Sequence, residues 1–449
     1  MSVDTSDAGS KALAAFKAAS APEPHAPAIS SQNATVERTG RVLLLSTLGF
    51  TLLFAVWLMF GVLGLAIRTE LGLSDVQFGW LTAAAILNGS VWRLLFGMLA
   101  ARWGGRRLFV AILLASAVPC LLVSRANSFA ELLCYAFLVG IAGNAFVVGV
   151  AWISSVSSRE RQGTALGIFG AGNVGASVTK IIGPAIIGVV PATGYLGGAI
   201  PGGWRFIPTL YAALLVVMAA ATWAFTPKDD DRTKSAKSLT QMLTPLREAR
   251  VWRFSLYYVV VFGAYVALSA WLPKYYVDVY QLTLSRAAML TSVFIFPASL
   301  LRPLGGYLSD RFGPRVVMYW VFGALLATTA PLCIPSGTLG FRTGVFSFTV
   351  LVALTGVCMG IGKAAVYKYI PDYFPGTVGA VGGLVGALGA LGGFFLPLGF
   401  AYLQRWTKLP EMTFIALFAV TAVSFGWLHL TVVRMRQRAK ALEPAEELP

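Results

Sequence analysis

From residue 42 onward the chain alternates between long apolar stretches and short polar ones. Apolar segments cover 42–67, 80–100, 108–124, 130–154, 164–190 and 206–226, and after a polar interval 255–272, 287–306, 316–334, 344–369, 378–403 and 411–433. A helix rising about 1.5 Å per residue crosses roughly 30 Å of hydrocarbon in about 17–25 residues, and every segment reaches that range. Only a helix satisfies all its backbone groups within one such segment. The pattern therefore predicts an all-α polytopic membrane protein with twelve transmembrane helices in two pseudo-symmetric six-helix halves. The expected boundaries are a polar tail over 1–40, a first half over 41–227, a linker over 228–254, a second half over 255–433 and a tail over 434–449. Residues 1–40 contain no apolar run, so a mobile cytosolic tail is expected there rather than a cleaved signal.

Composition sharpens this picture. Hydrophobic residues make up 57% of the 449 and charged residues only 12%, about half the density of a soluble domain. The formal charge of +16 does not point to nucleic acid, because the basic residues fall between apolar runs rather than on one soluble face. Of the 35 Lys and Arg residues, 22 lie in segments that would share one side and 8 in those of the other. The expected topology is a multi-pass protein of the cytoplasmic membrane with both termini cytosolic. The four cysteines, Cys120, Cys134, Cys333 and Cys358, lie in or beside apolar stretches without metal-ligand spacing and are expected to be small buried hydrophobes.

The two halves carry a repeated loop. After the second apolar segment the chain reads Gly97-Met-Leu-Ala-Ala101-Arg102-Trp-Gly104-Gly-Arg106-Arg107; after the eighth it reads Gly306-Tyr-Leu-Ser-Asp310-Arg311-Phe-Gly313-Pro-Arg315. The offset is 209 residues, close to half the chain, as for a duplicated six-helix unit. Both copies resemble the G-x-x-x-D-R-x-G-R-R loop of the major facilitator superfamily, although Ala101 replaces the acidic residue in the first. Arg102, Asp310 and Arg311 are expected to serve gating, by pairing with helix ends or carboxylates near the half interface.

Five basic residues fall inside apolar segments: Arg93, Lys180, Arg302, Lys363 and Lys368. Arg93 and Arg302 are again 209 residues apart, and each is the sole charge of its segment. An arginine at membrane depth costs at least about 2.5–3.5 kcal/mol and normally faces an interior cavity with a partner. None of the 19 carboxylates falls clearly mid-segment, so the missing charge is expected from a small anion. The planar guanidinium fork suits a planar oxyanion.

The fifth and eleventh apolar segments are glycine-rich: Gly167-Ile-Phe-Gly170-Ala-Gly172-Asn173-Val-Gly175-Ala-Ser177 and Gly382-Gly383-Leu-Val-Gly386-Ala-Leu-Gly389-Ala-Leu-Gly392-Gly393. Small residues at these spacings pack helices closely, which does not account for Asn173. The two segments resemble the paired signatures of the nitrate/nitrite porter (NarK-type) family, and Gly362-Lys363-Ala-Ala-Val-Tyr367-Lys368-Tyr-Ile-Pro371 is similar to the stretch before the second signature. That resemblance implies a transporter, not an enzyme, of nitrate and nitrite without a cofactor. It also implies that Arg93 and Arg302 bind the anion with Asn173 and Gly172. Phe146, Tyr258 and Phe262 match the positions of the aromatic walls, and Gly392 and Gly393 those flanking the site. Lys363 departs from relatives with a neutral residue there, whereas Lys368 matches a position often basic.

A lysine near two arginines could relay a proton or hold a fixed charge, so nitrate/proton symport and nitrate/nitrite exchange both stand, with Lys363 favouring symport. The other expected partners are the lipid bilayer and, for a symporter, protons, with the protein working as a monomer. Gly362-Lys363-Ala364 is no phosphate loop, because Ala364 stands where a Ser or Thr is required.

Overall fold

The computed structural model describes residues 29–157, 162–228, 239–335, 344–375 and 377–442. Residues 1–28, 229–238 and 443–449 of the expected tails and linker lie outside the described residues. The spans are α1 (Glu37–Leu71), α2 (Asp75–Val91 and Arg93–Trp103), α3 (Gly105–Arg125), α4 (Phe129–Val156), α5 (Thr164–Val189), α6 (Gly203–Phe225), α7 (Ala249–Tyr280), α8 (Leu284–Leu300 and Arg302–Phe312), α9 (Pro314–Cys333), α10 (Val345–Tyr373), α11 (Val378–Thr407) and α12 (Met412–Arg438). Ten are single helices long and apolar enough to cross a membrane, and α2 and α8 complete the twelve as bent pairs.

Local sequence sets the ends. Ser74 opens α2 with a reciprocal cap, accepting from the Gln77 N–H while the Gln77 side chain accepts from its own. Ser128 and Thr283 cap α4 and α8, satisfying donors that a helix start leaves open. The tight α2–α3 and α8–α9 turns need Gly104 and Gly313, with φ of 87° and 81°, a region closed to most side chains.

The two bends are symmetric, 44° in α2 and 41° in α8, and Arg93 and Arg302 each begin the second segment. In α8, Pro303 follows the break and has no N–H to return to the preceding turn. In α2, the Arg93 side chain takes the Gly89 carbonyl (2.9 Å) that its own N–H would use in an unbroken helix. Three further irregular turns lie mid-span and buried: 3-10 turns at Gly140–Asn144 in α4 and Gly172–Val174 in α5, and a π turn at Val259–Gly263 in α7. Such backbone is tolerated at membrane depth only where protein or a cavity covers it.

The halves meet along α2 against α11 and α5 against α8. α7 is the most enclosed helix, with Tyr257, Tyr258, Tyr265, Trp271 and Tyr276 all inaccessible. Of the cysteines, Cys120 is buried as expected, but Cys134 is exposed on the outside of the bundle and Cys333 and Cys358 are half-buried. An apolar stretch facing lipid reads like one facing a core.

Candidate functional site

The bends bring the two arginines to the half interface. Arg93 is buried; its Nε donates to Gly89 O, its Nη1 donates to Gly386 O of α11 at 3.2 Å, and its Nη2 has no protein partner. Arg302 lies against Gly170 of α5, where a Cβ would sit 3.3 Å from its Nη1, and that Nη1 is likewise without a partner. Each arginine thus crosses to the glycine segment of the other half. A side chain at Gly170 or Gly386 would occupy that space, which is the physical demand for glycine at these two positions.

Aromatic rings frame both guanidiniums. The Phe146 centroid is 6.0 Å from Arg93 Cζ and 5.3 Å from Arg302 Cζ, so one ring serves both cations. Arg93 also lies 5.6 Å from Trp57 and 5.4 Å from Phe262, and Arg302 5.6 Å from Tyr367. Tyr258 stacks on Phe262 with ring centroids 5.0 Å apart and meets Tyr367 edge to face. The π turn of α7 carries Phe262 toward the arginines. Among the described residues no carboxylate lies within ion-pair distance of either guanidinium. Two cations, each with an open donor, therefore share one aromatic surround, the arginine chamber, with the charge and shape to suit a planar anion.

Asn173 is buried with both side-chain polar atoms unpartnered. Its main-chain carbonyl accepts from the Tyr265 hydroxyl (3.2 Å), which also bonds Ser299 Oγ (2.9 Å). Lys363 is fully buried; its Nζ donates to Ala298 O (2.8 Å), one turn before Arg302, and sits 3.2 Å from the Tyr265 centroid and 5.7 Å from that of Phe262.

Other expected residues stand elsewhere. Lys368 pairs with Asp310 at 2.5 Å, both side chains well exposed, so it belongs to the α8 loop and not to the arginine chamber. Arg311 donates to Tyr307 within α8, and Arg102 is exposed at the end of α2. The loop clamp seen here lies within one half, where Ala101 leaves the first half no equivalent acid. Gly172 packs on Phe50 and Thr51, Gly392 on Val259 and Gly263, and Gly393 on Val266 and Ile86. At these three a Cβ would meet neighbouring helices and not a guanidinium. Gly170, Gly386, Trp57 and Tyr367 do line the chamber, and a glycine or an aromatic in an apolar run gives no sign of that role by its type alone.

The face away from the repeated loops is bridged by charge. Arg68 at the end of α1 contacts Asp75 (2.9 Å) and Asp278 (3.2 Å), and Lys274 of α7 contacts Asp278 (2.7 Å) and Asp75 (3.3 Å). This ring joins α1 and α2 to α7 across the half interface.

Comparison with known proteins matches this architecture. The sequence pattern of the Major Facilitator Superfamily fits residues 45–397 and again 287–447. A probable nitrate/nitrite antiporter NarK1 of Thermus thermophilus is 64% identical over 410 residues, covering 89% of this chain and 93% of that one. The chain belongs to the nitrate/nitrite porter family of the major facilitator superfamily. Two more members of this porter family are a nitrite extrusion protein of Bacillus subtilis (strain 168), 33% identical over 83% of this chain and 89% of its own, and a probable nitrate transporter NarT of Staphylococcus carnosus (strain TM300), 31% identical over 87% and 96%. Among solved structures, a bacterial homologue of the human lysosomal transporter Spinster in an inward-facing, unoccupied conformation superposes with a TM-score of 0.70 at 17% identity, over 88% of this chain and 96% of that one. The nucleoside transporter NupG gives 0.66 at 13% identity, over 88% and 99%. At these identities the porter shares their fold alone.

Proposed function

We propose that the chain carries nitrate and nitrite across the cytoplasmic membrane by alternating access, exchanging one anion for the other. The observation that supports this reading is the arginine pair: one from each half, each docked on the opposite half's glycine segment, each with an unpartnered nitrogen, and no carboxylate beside them. A bound planar anion offsets their repulsion and lets the halves close over it. The empty carrier keeps two facing cations and switches slowly, so net movement requires an anion in each direction. Phe146 and Phe262 supply apolar walls that take the flat faces of the ion while the guanidiniums take its oxygens.

Lys363 bears on the choice between exchange and symport. Its Nζ lies over the face of Tyr265, a cation–π placement that supports a fixed charge over a proton relay. The 64% identical relative is itself called a probable antiporter. Both termini on the cytosolic side, the half boundaries at 41–227 and 255–433 with the 228–254 linker, and a monomeric working unit complete the proposal; the Lys and Arg distribution supports the orientation.

The test is nitrate uptake into proteoliposomes preloaded with nitrite, against liposomes preloaded with chloride. Internal nitrite is expected to raise the initial rate at least tenfold. Equal rates in both preparations, at zero membrane potential, would refute exchange.

A further inference from the structure

Lys180 stands apart from the arginine pair. It lies on α5, buried, and its Nζ donates to Ala176 O at 2.9 Å, four residues back along its own helix. Among the described residues no carboxylate is within ion-pair distance of it. The ammonium therefore points back toward the middle of the membrane and not to the nearer outer boundary, which a snorkelling lysine would seek.

Asn173, Ser177 and Lys180 are spaced i, i+4 and i+7, so they share one face of α5. All three are buried, and Ser177 Oγ, like both polar atoms of the Asn173 side chain, has no partner. Arg302 rests on Gly170, at the inner end of this face. The stripe thus starts at the arginine chamber and climbs outward, Lys180 standing about 10 Å beyond Asn173 at 1.5 Å per residue. The neighbouring helices continue it from the same node. Tyr265 and Ser299 meet at Asn173; Ser269 lies one turn outward of Tyr265 on α7 and Ser292 two turns outward of Ser299 on α8, both buried. α5 packs against α8 and α8 against α7, so the polar positions of three helices run outward together along the half interface. Buried polar atoms without partners mark space that another polar species fills.

We infer that Lys180 is a second anion-binding station, placed between the outer opening and the arginine pair. This rests on the transport reading above and adds the route. In the conformation seen here the Arg68–Asp75–Lys274–Asp278 ring ties the outer ends of α1, α2 and α7 together and α5 lies against α8. When the outer ends part, an anion from outside meets Lys180 first, then Ser177 and Asn173, and is handed to Arg93 and Arg302. The station acts on the outer path alone.

The test uses the full chain in proteoliposomes of known orientation, with nitrate as probe and nitrite on the far side, measuring half-saturating nitrate separately from the outer and the inner face. Lys180→Met should raise the outer-face value at least tenfold and leave the inner-face value within twofold; Lys180→Arg should bring the outer value back to within threefold of wild type. Ser177→Ala, nearly isosteric, should raise the outer value alone by twofold or more. A change of equal size on both faces, or none, for Lys180→Met overturns the station. If Lys180→Met gives no monodisperse protein, an unchanged outer-face value for Ser177→Ala overturns it instead. Wild-type liposomes that move no nitrate from either face would instead defeat the transport reading itself, a distinct result.

Discussion

At the scale of single residues the account turns on geometry that charge alone does not supply. Arg93→Lys and Arg302→Lys keep a cation but lose the planar fork, and each should lower the transport rate at fixed nitrate at least about 100-fold, about 2.8 kcal/mol at 1.4 kcal/mol per decade; unchanged rates in the liposome assay would show that point charge suffices. The glycines separate into two kinds. A Cβ at residue 386 would come within 2.7 Å of the Tyr367 hydroxyl and 3.9 Å of Arg93 Nη1, so Gly386→Ala should raise half-saturating nitrate about tenfold. At residue 393 the same atom meets Val266 and Ile86, and Gly393→Ala should lower thermal stability by about 1–3 kcal/mol of overpacking while sparing affinity. Measuring both quantities on both variants checks the division, and a crossed pattern would contradict it. The arginines were legible in the sequence because a lone charge in an apolar run stands out. Which glycine touches an arginine was not, since each segment offers several equivalent glycines and only helix rotation selects one. Lys368 misled for a related reason: sequence places it one and a half turns from Lys363, but not at an exposed helix end beside Asp310.

At the scale of elements, the bends of α2 and α8 matter most. Helix length and composition predicted the spans and their order, yet nothing in the residue pattern of α2 announces a break before Arg93. There the side chain takes the Gly89 carbonyl from the backbone, an event of tertiary folding. Pro303 gave a visible reason in α8. The ring of Arg68, Asp75, Lys274 and Asp278 is not visible in the sequence, because the pairs Arg68–Asp278 and Asp75–Lys274 join distant parts of the chain. It ties the outer ends of α1, α2 and α7 together. In a cysteine-free background, Asp75→Asn with Asp278→Asn should speed labelling of Ser269→Cys by an impermeant thiol reagent from outside several-fold. An unaltered labelling rate would mean that helix packing, not charge, holds this end shut.

For the whole molecule, the 209-residue repeat made the symmetry plain from sequence: two loops and two arginines in register, with a glycine segment in the fifth and in the eleventh span. The structure adds that the symmetry is used crosswise, each half's arginine resting on the other half. Because neither guanidinium has a carboxylate, the anion itself is the missing partner, and the carrier moves readily only when loaded. Lys363 as a fixed charge carries the companion expectation that Lys363→Met weakens nitrate binding several-fold but leaves exchange independent of an imposed proton gradient; a proton-driven accumulation lost in that variant would restore symport. Counterflow measures this dependence on a bound anion: liposomes are loaded with labelled nitrite at zero membrane potential, with nitrate either present or absent outside. Efflux should be at least tenfold faster with external nitrate. Efflux equally fast into nitrate-free buffer would show that the empty carrier returns freely, and the anion would then not be what lets the two halves close.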